Sequence, residues 1–168
     1  YLCEYFNSDK GEKFKNQYAK PSKQDDKKII AHGYAKIYEK HLKENKEKNL
    51  NIIELGSFYG NASAAFYFYF KNSLIYSADI NPDMYLYRSK RLYNFFTDTS
   101  SRSSIEKNIL KKDIKFDLII EDASHAIGGK YNGTYVGACE YSDITVFSFH
   151  PVKIITTGEG GVACTNIK

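Results

Sequence analysis

The sequence has no tryptophan, a single methionine, three prolines and three cysteines. Cys3, Cys139 and Cys164 are odd in number and widely spaced, which argues against a disulfide framework and a cysteine metal cluster. A reduced, cytoplasmic chain is the simplest expectation. No apolar run approaches the ~18 residues a membrane span requires, so no membrane partner is expected. No signal-peptide pattern opens the sequence. It begins at Tyr1 rather than Met, so a longer parent chain is expected. The net charge is only +4. Much of the lysine precedes residue 49, with no basic and aromatic stripe, so a solvated lysine-rich face is favoured over nucleic-acid binding.

What is present suits a globular domain: 42% hydrophobic residues and 168 residues, enough for one core. Residues 1–28 are polar and lysine-rich and read as loop and short turns. Ile30, Tyr34, Ile37, Tyr38 and Leu42 make one apolar stripe, so the spacing predicts a helix over 29–46. Short apolar runs predict strands at 50–55, 73–79, 94–97, 116–121, 144–149 and 162–165. Helices are expected at 62–70, 83–92 and 103–111, the last opened by a capping box of Ser103 and Glu106. Alternating strands and helices imply a parallel sheet with right-handed crossovers. After His125, closely spaced glycines predict turns.

Glu54-Leu55-Gly56-Ser57-Phe58-Tyr59-Gly60 lies at a strand-to-helix turn. Glycines there let backbone amides approach a ligand closely. Asp79 follows Gly56 by 23 residues at the end of the second strand, a spacing at which an acid can take both hydroxyls of a ribose. These residues recur, in order, with Asn7 to Gly11, His32, Tyr34 to Tyr38, Ala78-Asp79-Ile80, Thr97 to Ser100 and Phe116 to His125. Together they resemble the S-adenosylmethionine-dependent sugar O-methyltransferases of the macrocin and cephalosporin hydroxylase-like group, over about residues 5–125. The resemblance implies that Glu54, Gly56 and Gly60 line the methionine part of S-adenosylmethionine. It places Asp79 on the ribose and Asp98 near the adenine. Asp122 would bind Mg²⁺ and His125 would be the general base, with Ala123 standing where that family has Gly. An imidazole titrates near neutral pH and suits deprotonation of an attacking hydroxyl.

A second resemblance begins in the same strand. Glu121 to Gly129 is followed by Val136-Gly137, Ser142-Asp143, Phe147-Ser148-Phe149-His150-Pro151-Val152-Lys153 and Thr157 to Gly161. This pattern is similar to the DegT/StrS-type pyridoxal phosphate (PLP) aminotransferases of nucleotide sugars, including altrosamine transaminases of pseudaminic acid synthesis. It implies that Lys153 is the Schiff-base lysine. Asp122 would face the pyridine nitrogen, Ser148 the phosphate, and His125 would lie beside the ring. A nucleophilic amine must be neutral, so its surroundings must lower its pKa. An acid beside the pyridine nitrogen makes the ring an electron sink.

The expected fold is α/β: an incomplete Rossmann-like parallel sheet with helices on both faces, closed by a C-terminal aminotransferase-derived segment. The expected domains are a cofactor-binding region over 1–125 and an aminotransferase fragment over 121–168, with Glu121 to His125 as the seam. Expected function is that of a hybrid or truncated sugar-modifying enzyme acting on a nucleotide or sugar. A PLP aminotransferase fragment and a non-catalytic fusion remnant are the alternatives. Aminotransferases of this class build their site across a dimer, which makes a homodimer the expected assembly if that activity is present.

Overall fold

The computed structural model describes residues 1–11, 13–15, 28–30 and 32–168. A one-turn helix α1 (Leu2–Tyr5) is followed by a small antiparallel pair, β1 (Lys13–Lys15) and β2 (Lys28–Ile30). Helix α2 spans Tyr34–Leu42, β3 Asn51–Leu55, α3 Asn61–Tyr69, β4 Leu74–Asp79 and β5 Leu92–Phe96. Then come α4 (Arg102–Asn108), β6 (Leu118–Asp122), a two-stranded hairpin of β7 (Lys130–Tyr131) and β8 (Thr134–Tyr135), β9 (Ile144–Ser148) and β10 (Gly161–Thr165). The main sheet has the order β10-β9-β6-β3-β4-β5. Its strands are parallel, except that β10 runs antiparallel to β9 at the edge.

The central strands read as continuous apolar runs because both sheet faces are covered. Residues 144–148 of β9 are all buried, and so are 52–54 of β3 and 75–78 of β4. One face carries a core of Ile52, Ile75, Ile120, Ile144 and Val146 beneath Tyr34, Tyr38 and Leu42 of α2 and Phe66 of α3. The α2 residues lie four apart, so they form one stripe. The opposite face packs Ile53, Tyr76 and Ala78 against Ile109, just beyond α4. Burying a side chain such as Ile52 or Leu42 stabilises by roughly 1.5–3 kcal/mol. The parallel sheet expected from the strand pattern is observed over five strands, and the antiparallel edge strand β10 was not foreseen.

Four local expectations change. Residues 83–92 form no helix: a 3-10 turn at Pro82–Met84 leads into extended chain. Tyr85 is buried, Leu86 is 64% exposed, and Tyr87 packs edge-on against Phe6 at 5.4 Å. That alternation of faces belongs to extended chain, not to a helix. Helix α2 starts at Tyr34 rather than residue 29, because Gly33 before it turns left-handed (φ 74°) and Ile30 belongs to β2. The cap of α4 is Ser101, whose hydroxyl accepts the Ser104 N–H, while Glu106 pairs with Arg102 at 2.8 Å. The polar N-terminal stretch includes α1, β1 and the start of β2; the part at 16–27 lies outside the described residues.

Two contacts tie the N-terminal part to the last strands. The Tyr34 hydroxyl donates to the Phe147 carbonyl in β9. Gly161 makes this approach possible, since a Cβ there would overlap the Tyr34 ring and hydroxyl. Alongside, His32 Nε2 lies 2.6 Å from Ser148 Oγ. No helix among the described residues is long and apolar enough to cross a membrane.

Candidate functional site

Parallel strands place their carboxyl ends along one edge, and ligands of open α/β sheets bind outside that edge. Here a cavity of about 520 Å³ opens there. Its wall includes Ser8, Asp9 and Lys10 from the N-terminal turn, Gly56 to Tyr59 after β3, Asp79 at the end of β4, and Asp122 to Ala126 after β6. Lys153 completes it.

The β3–α3 turn is built tightly. Gly56 N–H and Ser57 N–H both donate to Ala78 O, at 2.8 and 3.2 Å, and Ser57 Oγ donates to Glu54 O at 2.9 Å. Gly56 is left-handed (φ 85°), and a Cβ there would come within 3.1 Å of Asp122 O, so the ends of β3 and β6 meet only across a glycine. Gly60 also turns left-handed (φ 79°) to start α3. Asp79 accepts the Phe58 N–H at 2.7 Å on one oxygen and the Asn81 N–H at 3.1 Å on the other. Backbone donors thus aim its carboxylate at the cavity beside the glycine turn.

Asp122 is held differently. Its Oδ2 accepts from Lys10 Nζ at 2.6 Å. Its Oδ1 accepts both the Ser124 hydroxyl and the Ser124 N–H. Lys10 also lies 3.6 Å from Glu54 Oε1 and 4.0 Å from Asp9 Oδ1. Burial alone would lower the Lys10 pKa, but Asp122, Glu54 and Asp9 outweigh it and hold the ammonium well above its usual range. Burial would raise Asp122, yet Lys10 and Ser124 keep it below the ordinary carboxylate value. Glu54 is fully buried beneath the cavity and takes a hydrogen bond from Ser63; burial pushes it up to about 7 against the pull of Lys10.

At the far end, Lys153 Nζ lies 2.9 Å from His125 Nε2. Burial lowers the pKa of Lys153. Burial, then the Lys153 charge, lowers His125. An amine whose pKa burial lowers therefore sits against an imidazole that can pass protons.

Of the residues singled out in the sequence, Gly56, Asp79, Asp122, His125 and Lys153 share the cavity wall. Glu54, Gly60, Asp98 and Ser148 do not. Glu54 reaches the site through Lys10. Gly60 shapes the turn behind it. Asp98 caps its own turn by accepting from Ser100 N–H and Oγ, at 2.9 and 2.6 Å, while its neighbours Thr99 and Ser100 line the cavity. Ser148 is buried under His32. Lys10 received no role from sequence reasoning. It stood within the quoted Asn7 to Gly11 motif, but its partner Asp122 is 112 residues away.

Residues 109–167 match the model of the DegT/DnrJ/EryC1/StrS aminotransferase family. The aminotransferase-like segment contains Asp122, His125 and Lys153; Gly56 and Asp79 lie before it. The chain is 54% identical over 50 residues to a UDP-4-amino-4,6-dideoxy-N-acetyl-beta-L-altrosamine transaminase of Campylobacter jejuni, covering 30% of this chain and 13% of that protein. It is 54% identical over 51 residues to a GDP-perosamine synthase of Escherichia coli O157:H7, covering 30% and 14%. The chain thus spans about a seventh of the length of these relatives. Among solved structures it resembles the MycE methyltransferase of the mycinamycin biosynthetic pathway, in complex with Mg and SAH. That likeness has a TM-score of 0.50 at 17% identity and covers 68% of this chain and 31% of that one. It speaks for the α/β fold alone.

The site's donor set can be tested against the groups these families use. Magnesium does not fit: the Lys10 ammonium already sits on Asp122, and among the described residues no three His, Cys, Asp or Glu side chains converge to hold a metal ion. The expected role of Asp122 as a metal ligand is therefore corrected. The aldehyde end of PLP fits Lys153 and His125. Its pyridine end would meet an Asp122 already paired with Lys10, and the Ser148 hydroxyl is outside the cavity wall.

Proposed function

We propose that this chain is part of a sugar-modifying enzyme whose crevice binds a nucleoside and presents Lys153 to a carbonyl group in the same space. Asp79 would accept hydrogen bonds from the ribose diol, and the Gly56 turn would admit the rest of the nucleoside to the backbone. Lys153 would be the carbonyl-capturing amine, with His125 holding or releasing its proton. The convergence of Asp79, His125 and Lys153 on one cavity carries this reading. The aminotransferase-like segment favours PLP as the carbonyl group, which when bound supplies an electron sink. Asp122, kept ionised, would then face the ring nitrogen. A nucleotide sugar, which the names of the two relatives indicate for those proteins, would be the substrate, and the segment at 109–167 would act as the C-terminal unit of the site.

A methyltransferase reading has its own support. The glycine turn, Asp79 at the end of β4 and the sheet order agree with S-adenosylmethionine binding, and an acid-lined crevice suits a sulfonium cation.

Two titrations test the reading. Added PLP should give an absorbance band above ~400 nm that Lys153→Ala abolishes. Calorimetry with S-adenosylhomocysteine should show heat that Asp79→Ala removes. A folded protein silent in both assays would leave neither reading standing.

A further inference from the structure

The three cysteines are free thiols, but they stand in different surroundings. Cys3 is buried in a cluster with Phe6, Ala64 and Ala65, and burial pushes its thiol up to about 11. Cys139 and Cys164 are only half-buried, and the fold brings them to one face of the sheet edge. Cys164 lies in β10 directly opposite Thr145 of β9, and residues directly opposite in an antiparallel pair project to the same face. Cys139 reaches that face from the chain excursion between β6 and β9. Its Sγ lies 3.7 Å from Thr145 Oγ1 and 3.6 Å from Gly137 O. A Cβ on Gly137 would lie 3.7 Å from Cys164 Sγ. Thr145 and Gly137 are thus neighbours of both cysteines.

The excursion is docked on β10 while both thiols are free. Asn166 Nδ2 donates to Ala138 O at 3.2 Å and to Cys139 O at 3.1 Å, which anchors the main chain at 138–139 beside the end of β10. Cys139 itself is left-handed (φ 53°), a conformation few side chains adopt, so its placement is imposed by these surroundings. A disulfide forms without strain only between cysteines already held side by side. We propose that Cys139 and Cys164 are an oxidation site: a low-molecular-weight disulfide of the glutathione type converts them into an intramolecular bond that fastens the excursion to β10. The two thiols already act on one another, since the pKa of Cys164 is raised by burial and then by the charge of Cys139.

The exchange has two steps. One cysteine loses its proton and its thiolate attacks a sulfur of glutathione disulfide; a mixed S–S bond forms and one glutathione thiolate leaves. The second cysteine, also deprotonated, attacks the protein sulfur of that mixed disulfide and expels the second glutathione thiolate. Two protein thiols are oxidised, one glutathione disulfide is reduced to two glutathiones, and the two protons released by the protein end on them. Because burial raises the Cys164 thiol, its thiolate is scarce and the bond forms slowly, as suits a fastening rather than a catalytic dithiol.

The test exposes the wild-type chain to excess glutathione disulfide and reads it by intact mass and non-reducing peptide mapping. The expected product is lighter by two hydrogens, with Cys139 and Cys164 in one linked peptide and Cys3 recovered as a thiol. Its melting temperature should rise by at least about 3 °C and return on addition of dithiothreitol. Cys139→Ser and Cys164→Ser, each melting like the reduced wild type, should instead retain one glutathione on the remaining cysteine and show no such rise. Separate glutathiones on both cysteines of the wild-type chain overturn the proposal, as does a bond to Cys3 or to a second chain. Recovery of Cys139 and Cys164 as free thiols also overturns it. A linked pair with an unchanged melting temperature overturns the fastening of β10.

Discussion

Two acids end neighbouring parts of the same sheet, and they are held in opposite ways. Asp79 is fixed by backbone N–H groups, from Phe58 and Asn81, and among the described residues no side-chain cation pairs with it. Asp122 carries a buried lysine at 2.6 Å and a serine on its other oxygen. Backbone donors orient a carboxylate without neutralising it; an ammonium neutralises it and shares its fate. The first acid thus keeps its charge at the cavity wall, while the second is tied to Lys10, which links the N-terminal turn, β3 and β6.

The sharpest way to break that contrast is Lys10→Met. It leaves Glu54 and Asp122 buried without their cation, and should cost about 3–5 kcal/mol in chemical denaturation. A loss under about 1 kcal/mol would mean that the lysine does not hold these acids. Next in size, Asp122→Asn should cost about 1–3 kcal/mol, since Lys10 keeps Glu54 but loses its shortest partner. A third measurement is the pH dependence of melting. Glu54 has a folded pKa of about 7, raised above its ordinary value of 4.5, so the folded state binds the extra proton between these values. Its contribution to stability is full below about 4.5 and is lost as pH rises through about 7. The melting temperature should decline over that window, and Glu54→Gln should flatten the decline; an unchanged slope would remove Glu54 from the account. Smallest in stability, Asp79→Asn should shift unfolding by under about 0.5 kcal/mol while weakening nucleoside binding at least about tenfold. If Asp79→Asn destabilised as much as Asp122→Asn, the distinction between the two acids would disappear.

Much of the sheet was legible because buried parallel strands announce themselves as apolar runs: 51–55, 74–79 and 144–148 lie within a residue or so of where the pattern put them. The stretch at 83–92 was misread because tyrosines at 85 and 87 with Leu86 between them follow a two-residue period, which a search for helical stripes passes over. Gly56 and Asp79 were legible because each sits at or just after the carboxyl end of a strand, whereas Asp122 and His125 were singled out through the two family resemblances. Lys10 was not, since nothing in a five-residue motif tells which acids a folded chain will bring to it. The placement of Ser148 also depended on an unforeseen neighbour, His32, which occupies its hydroxyl.

The missing side chain at position 161 limits which residues this chain can accept there. Tyr34 and Gly161 are 127 positions apart (161 − 34), yet the ring and hydroxyl of one fill the space a methyl group on the other would need. A larger residue at 161 would also press on the Phe147 carbonyl, so trimming position 34 alone would not make room for it. The last strands and the helix that carries Tyr34 are thus shaped for one another at a single backbone position.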